Sequence, residues 1–173
     1  MTDALKIAVL VFVAGVLQAS VFAGADLLGG TPDVLLLVLL GIALQRGAVA
    51  GAAAGFLGGL LLDVATLESL GVTSLLLTLV GYWAGRYGEA TGRGRRYAPI
   101  AAILAATVFV ALGGYTLHYM LGADILAERA LGTALLPGLG LNLIVGVPVL
   151  AVCRVLLRPH ERSERVGEVQ LLG

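Results

Sequence analysis

Few side chains in this sequence are equipped for chemistry, and their spacing limits what they can do. Asp63 directly follows Leu60, Leu61 and Leu62. A carboxylate there is either embedded in a membrane, at a cost of roughly 2.5 kcal/mol or more that calls for a functional reason, or solvated at the interface beside Glu68. Tyr115, His118 and Tyr119 cluster near the end of a long apolar run, suited to contacting a ligand or to forming an interfacial aromatic belt. Gln18 and Asn142 sit within apolar runs, where amides join helices or meet a solute. Asp63, Tyr115, His118 and Asn142 are thus the candidate lining of a cavity, and Gln18 a candidate interhelical contact. The two histidines, His118 and His160, fall on opposite sides of a predicted span, and Cys153 is the lone cysteine. Neither a shared metal nor an internal disulfide is expected, and Cys153 reads as a small packing residue. A Gly-x-Ser-x-Gly nucleophile turn, a His-Glu-x-x-His zinc pair, a glycine-rich phosphate loop and clustered aspartates of the metal-pyrophosphate kind are all missing from the sequence. The reading is therefore of a protein without catalytic residues, metal or cofactor.

The elements that must position these groups are membrane spans. Of 173 residues, 59% are hydrophobic and 13% charged, and the mean hydropathy is +1.00, against about 45–50% apolar and about 25% charged in soluble domains. The charges interrupt apolar runs instead of mixing with them. Six runs emerge, at about residues 5–23, 34–44, 48–62, 70–87, 99–121 and 134–157, which predict an all-α, polytopic membrane domain over residues 1–157. The charged tail, 158–173, is too short for a domain of its own. The first run has a weak basic region, with Asp3 opposing Lys6, and reads as an uncleaved helix despite the small residues Ala23, Gly24 and Ala25 at its end. Thr31, Pro32 and Asp33 form a helix start, with proline near the first turn and a carboxylate facing the positive end of the dipole. The third run reaches only about 22 Å, short of a hydrocarbon core of about 30 Å, so it must continue past Asp63 or be buried among neighbours. Trp83 and Tyr87 suit an interface, and Pro137 and Pro148 interrupt the sixth run.

Counting Lys and Arg in alternate loops orients the chain. With the amino terminus inside, ten of the eleven basic residues are cytoplasmic, and Arg129 alone is outside. The positive-inside rule then predicts six spans with both ends in the cytoplasm. Arg46, Arg86, Arg93, Arg95 and Arg96 form the cytoplasmic basic set. Their topological role needs no partner, though the run at 93–96 also suits anionic headgroups or a cytoplasmic protein. Asp26, Asp33, Asp63, Glu68, Asp124 and Glu128 are expected along the outer loops. The balanced net charge proposes no nucleic-acid partner.

Gly47, Gly51, Gly55 and Gly59 recur every four residues, and one helix face carries all of them. Such a face lets another helix approach closely. It serves either as a packing seam within the bundle or as a seam for a partner.

The order of these features resembles a known family. Leu17-Gln18-Ala19-Ser20 is followed by Pro32-Asp33, then Arg46-Gly47 and the glycine ladder, Gly58-Gly59-Leu60-Leu61-Leu62-Asp63, Leu70-Gly71, and Leu79-Val80-Gly81-Tyr82-Trp83-Ala84-Gly85-Arg86. In the first half this series resembles the bacterial rod shape-determining protein MreD family; the second half matches only in the number and length of its spans. The resemblance implies a non-enzymatic, multi-pass scaffold of the inner membrane. Such a scaffold binds MreC and helps couple cytoplasmic MreB filaments to peptidoglycan synthesis by RodA and its transpeptidase partner. The family is also similar in fold to the S components of energy-coupling-factor transporters. That similarity implies a rival reading, the substrate-binding membrane component of a vitamin-type transporter.

Overall fold

The computed structural model describes residues 2–22, 30–67, 69–91, 98–122 and 135–157, and these form six α-helices. They are α1 (Thr2–Leu17), which continues as a π-helical turn (Gln18–Phe22), α2 (Val34–Arg46), α3 (Ala48–Thr66), α4 (Val72–Thr91), α5 (Ala98–Met120) and α6 (Leu135–Leu156). Among the described residues, the segments Asp3–Val21, Ala48–Thr66, Ala98–Met120 and Leu135–Leu156 are long and apolar enough to cross a membrane. The third run does continue past Asp63, to Thr66. Pro148 is accommodated within α6, and Pro137 lies in its first turn, where a missing N–H costs no helical hydrogen bond. The tail from 158 onward lies outside the described residues.

The second helix is the hub, and its length and composition explain why. Thirteen residues rise about 20 Å, too little to cross a hydrocarbon core of about 30 Å. The polar ends of α2 must therefore be served by neighbouring chain. Every residue from Leu35 to Ala43 is buried, and α2 touches each of the other five helices. Around this hub the outer helices turn large apolar side chains outward: Val9, Phe12 and Val13 from α1, Phe109 and Leu112 from α5, Ile144 and Val147 from α6. A surface of that kind has hydrocarbon as its solvent.

Hydrogen bonds mark the two ends of the bundle. At one end, Arg46 closes α2 by donating to Asp3 Oδ2 (2.8 Å) and to the Leu157 carbonyl (3.2 Å), so the start of α1 and the residue after α6 meet at the same point. Gly47 alone separates α2 from α3, with φ +90°, a backbone conformation glycine adopts without penalty. Glu89, near the end of α4, accepts the Ala48 N–H (3.0 Å) that begins α3. At the other end, the α2 entry meets the π-helical turn and the first half of α6 through Gln18 and Asn142.

Candidate functional site

The glycine ladder is packed inside the bundle. A methyl group on Gly51 would overlap the Gly81 carbonyl, one on Gly55 the Leu77 carbonyl, and one on Gly59 the Ser74 backbone. Gly85, from the other side, lies against Ala48. These pairs run in opposite senses along the chain, so α3 and α4 are antiparallel with their backbones in direct contact. With the ladder face covered by α4, an outside helix has no access to it. Of the two uses expected for Gly51, Gly55 and Gly59, the structure shows internal packing, and the partner seam must be sought elsewhere. Gly47 differs from the other three, since it forms the α2–α3 link and faces the Glu89 carboxylate.

Asp63 is fully buried. This corrects its expected place as a solvated outer-loop residue. Its Oδ2 accepts the backbone N–H groups of Gly71 (2.7 Å) and Ser74 (3.3 Å), and its Oδ1 that of Thr73 (3.3 Å). The first turn of any helix leaves N–H donors unpaired, and an anion at that end also meets the positive end of the dipole. Asp63 thus serves the start of α4 from the last turn of α3, where no intrahelical partner exists. Ser74 returns a hydrogen bond to the Phe56 carbonyl (3.0 Å), a second polar tie between the same helices.

Gln18 and Asn142 meet at the entry to α2. Gln18 accepts the Val34 N–H (2.8 Å), and its amide nitrogen lies 3.4 Å from the Pro32 carbonyl. Asn142 accepts the Asp33 N–H (2.7 Å) and donates to Thr107 Oγ1 (3.1 Å), which brings in α5. Asp33 itself accepts the Leu36 N–H (2.9 Å). Desolvation pushes its carboxyl above the usual carboxylate range, and the hydrogen bond from Leu36 opposes this. The short α2 thus begins in a polar collar built from three other helices.

The four residues expected to line one cavity are dispersed. Asp63 belongs to the α3–α4 junction and Asn142 to the collar. Tyr115 stacks on Tyr119 with ring centroids 6.2 Å apart, and His118 Nδ1 donates to the Gly114 carbonyl of its own helix (2.9 Å). The His118 imidazole is thus engaged within its own helix, and the two tyrosine rings contact each other. A cleft of about 370 Å³ lies instead between α4 and α5, lined by residues such as Val80, Trp83, Ala105 and Phe109. Of the basic set, Arg46 forms the clasp described above and Arg86 pairs with Glu89 (3.3 Å); Arg93, Arg95 and Arg96 lie outside the described residues. Among the described residues, no three His, Cys, Asp or Glu side chains gather as a metal site.

Sequence reasoning missed Glu89, Thr107 and the α4 half of the glycine contact. Gly81 and Gly85, four residues apart, did carry a signal, since a second small-residue face is the natural complement of the first. Thr107 carried none.

An apolar exterior around a short buried hub, with internal polar groups joining helix to helix, defines a multi-pass membrane protein. The chain matches the rod shape-determining protein MreD family over residues 2–159, nearly its whole length, and belongs to that family. Its role is accordingly in rod-shape determination. No curated protein and no solved structure matches the chain.

Proposed function

We propose that this chain is a non-enzymatic scaffold of the inner membrane, binding MreC and helping to couple MreB filaments inside the cell to peptidoglycan synthesis outside it. The family match over residues 2–159 carries this reading. It is supported by the use made of the polar side chains: Asp63, Ser74, Thr107 and Asn142, all buried, are engaged in contacts that hold backbone and helices together. The rival reading, a vitamin-type transport component, would call for those groups to converge on a solute, and the described cleft is apolar. A six-span topology with both ends cytoplasmic belongs to the same proposal. Asp3 and Leu157 meeting on one arginine supports it, since an even number of crossings returns the chain to its starting side.

MreC's single apolar helix gains little hydrophobic energy by leaving lipid, so its binding depends on close packing and a few hydrogen bonds with the outward faces of the bundle. The experiment is a pull-down of the tagged chain from mildly solubilised membranes, with mass identification of what accompanies it. MreC is the expected companion. Recovery of the ATPase subunits of a transporter without MreC would refute the scaffold reading. Accessibility labelling that places Arg95 and Asp124 on the same side of the membrane would refute the topology.

A further inference from the structure

The helices α3 and α4 exchange carboxylates. Asp63, in the last turn of α3, accepts the N–H groups of Gly71, Thr73 and Ser74 where α4 begins. Glu89, near the end of α4, accepts the Ala48 N–H where α3 begins. Each helix thus supplies an acceptor that the other's first turn lacks, and only an antiparallel pair makes both exchanges at once. Between the two ends, bare backbone meets backbone at Gly51, Gly55 and Gly59, and the Ser74 hydroxyl donates to the Phe56 carbonyl. Residues 67–71 alone separate the helices, so closing the pair costs little chain entropy.

Neither helix suits hydrocarbon by itself. Alanine and glycine make up ten of the nineteen residues of α3, which leaves little apolar area to bury, and a solitary α3 would carry the Asp63 carboxylate without its partners. The other helix, α4, carries Thr73, Ser74, Thr78, Arg86 and Glu89 and is not among the segments apolar enough to cross a membrane. Toward α1 and α5 the pair makes contacts of another kind. Gly15 of α1 meets the Leu61 side chain, and Gly113 of α5 meets the Leu76 side chain. Such contacts part without leaving backbone groups unpaired, whereas separating α3 from α4 strands N–H donors at both ends.

We propose that α3 and α4 are one cooperative unit, which crosses the membrane as a pair and opens only as a pair. The crossing rests on the six-span topology proposed above; the cooperativity does not.

Hydrogen exchange of the full chain in detergent, read by mass spectrometry, tests the cooperativity. Peptides from α3 and α4 are expected to open at one common rate. Asp63→Leu should speed their exchange about tenfold or more, the effect of leaving buried N–H groups unpaired. The increase should reach Ala50–Ala54, at the far end of α3, while α6 peptides stay unchanged. Asp63→Asn, whose amide oxygen still accepts N–H groups, should restore most of the protection. If Asp63→Leu folds too poorly to measure, Ser74→Ala, which removes only the tie to Phe56, should give the same pattern at smaller amplitude. Faster exchange confined to the first turn of α4, or α4 opening while α3 stays protected, overturns the proposal. The crossing is read in whole cells from Leu67→Cys, at an exposed position just after α3, in a Cys153→Ala background with a membrane-impermeant maleimide. Gly81→Leu makes α4 more apolar but breaks the seam, so a severalfold fall in outside labelling per recovered chain reports lost pairing. Unchanged outside labelling in Gly81→Leu overturns the proposal and leaves the topology standing. Labelling of the otherwise unmodified Leu67→Cys chain from the cytoplasmic side alone refutes the topology, and the crossing with it.

Discussion

The two sides of α4 solve opposite problems with small residues. Toward α3 it presents Gly81 and Gly85, and the two backbones meet with no room for a methyl group. Toward α5 it presents Val80, Ala84 and the rings of Trp83 and Tyr87, opposite the alanines of α5, and a cleft remains. The difference lies in what stands beside the small residues. Glycine facing glycine or bare backbone lets two helices close completely. Alanine beside large rings cannot close, because the rings hold the helices apart while the methyl groups fail to fill the gap. Small residues therefore mark either a seam or a crevice, and their neighbours decide which.

That contrast is open to direct attack, starting where the effect is largest. Gly55→Leu forces a side chain into the Leu77 carbonyl, and the expected loss is above about 3 kcal/mol, the upper end of ordinary overpacking; yield of monodisperse protein and thermal unfolding in detergent would report it. If Gly55→Leu and Gly51→Leu both fold normally, the closed side of α4 is misassigned. Asp63→Ala removes the acceptor of three backbone N–H groups, each costing about 1–3 kcal/mol when left buried and unpaired, so reversible unfolding in mixed micelles should show a loss of several kcal/mol. Asn142→Leu, at the polar collar, should lose about 1–3 kcal/mol by the same measurement, because the Asp33 N–H and the Thr107 hydroxyl each lose a partner. On the open side, Ala105→Leu should change stability by less than about 0.5 kcal/mol, since the new side chain enters empty space. The smallest effect should come from Gly140→Ala, at a helical glycine with nothing near its missing Cβ. It is expected to stabilise α6 by up to about 1 kcal/mol through helix propensity alone, and a decrease would mean that this face is covered.

Much of the architecture was legible because the bilayer imposes simple conditions on sequence. Apolar runs of span length and the Pro32-Asp33 helix start act locally; the described residues form six helices, and α2 begins directly after Asp33. The roles of Asp63 and Asn142 were not legible. A carboxylate after three leucines reads the same whether its partners are water, a solute or the N–H groups at the start of a helix beginning nine residues later. Only the α3–α4 turn brings Gly71, Thr73 and Ser74 to it. Asn142 reaches Asp33 across 109 positions of sequence, a separation at which no local pattern carries information.

What the sequence by itself determined is the solvent, the helices and the presence of a face without side chains, because hydropathy, capping and four-residue spacing are properties of single segments. Which helix covers that face, and whether a buried carboxylate serves a backbone or a ligand, was decided by the tertiary structure. Pairing and satisfaction of polar groups are properties of two segments at once, and they take definite values only when the folded chain has chosen which segments meet.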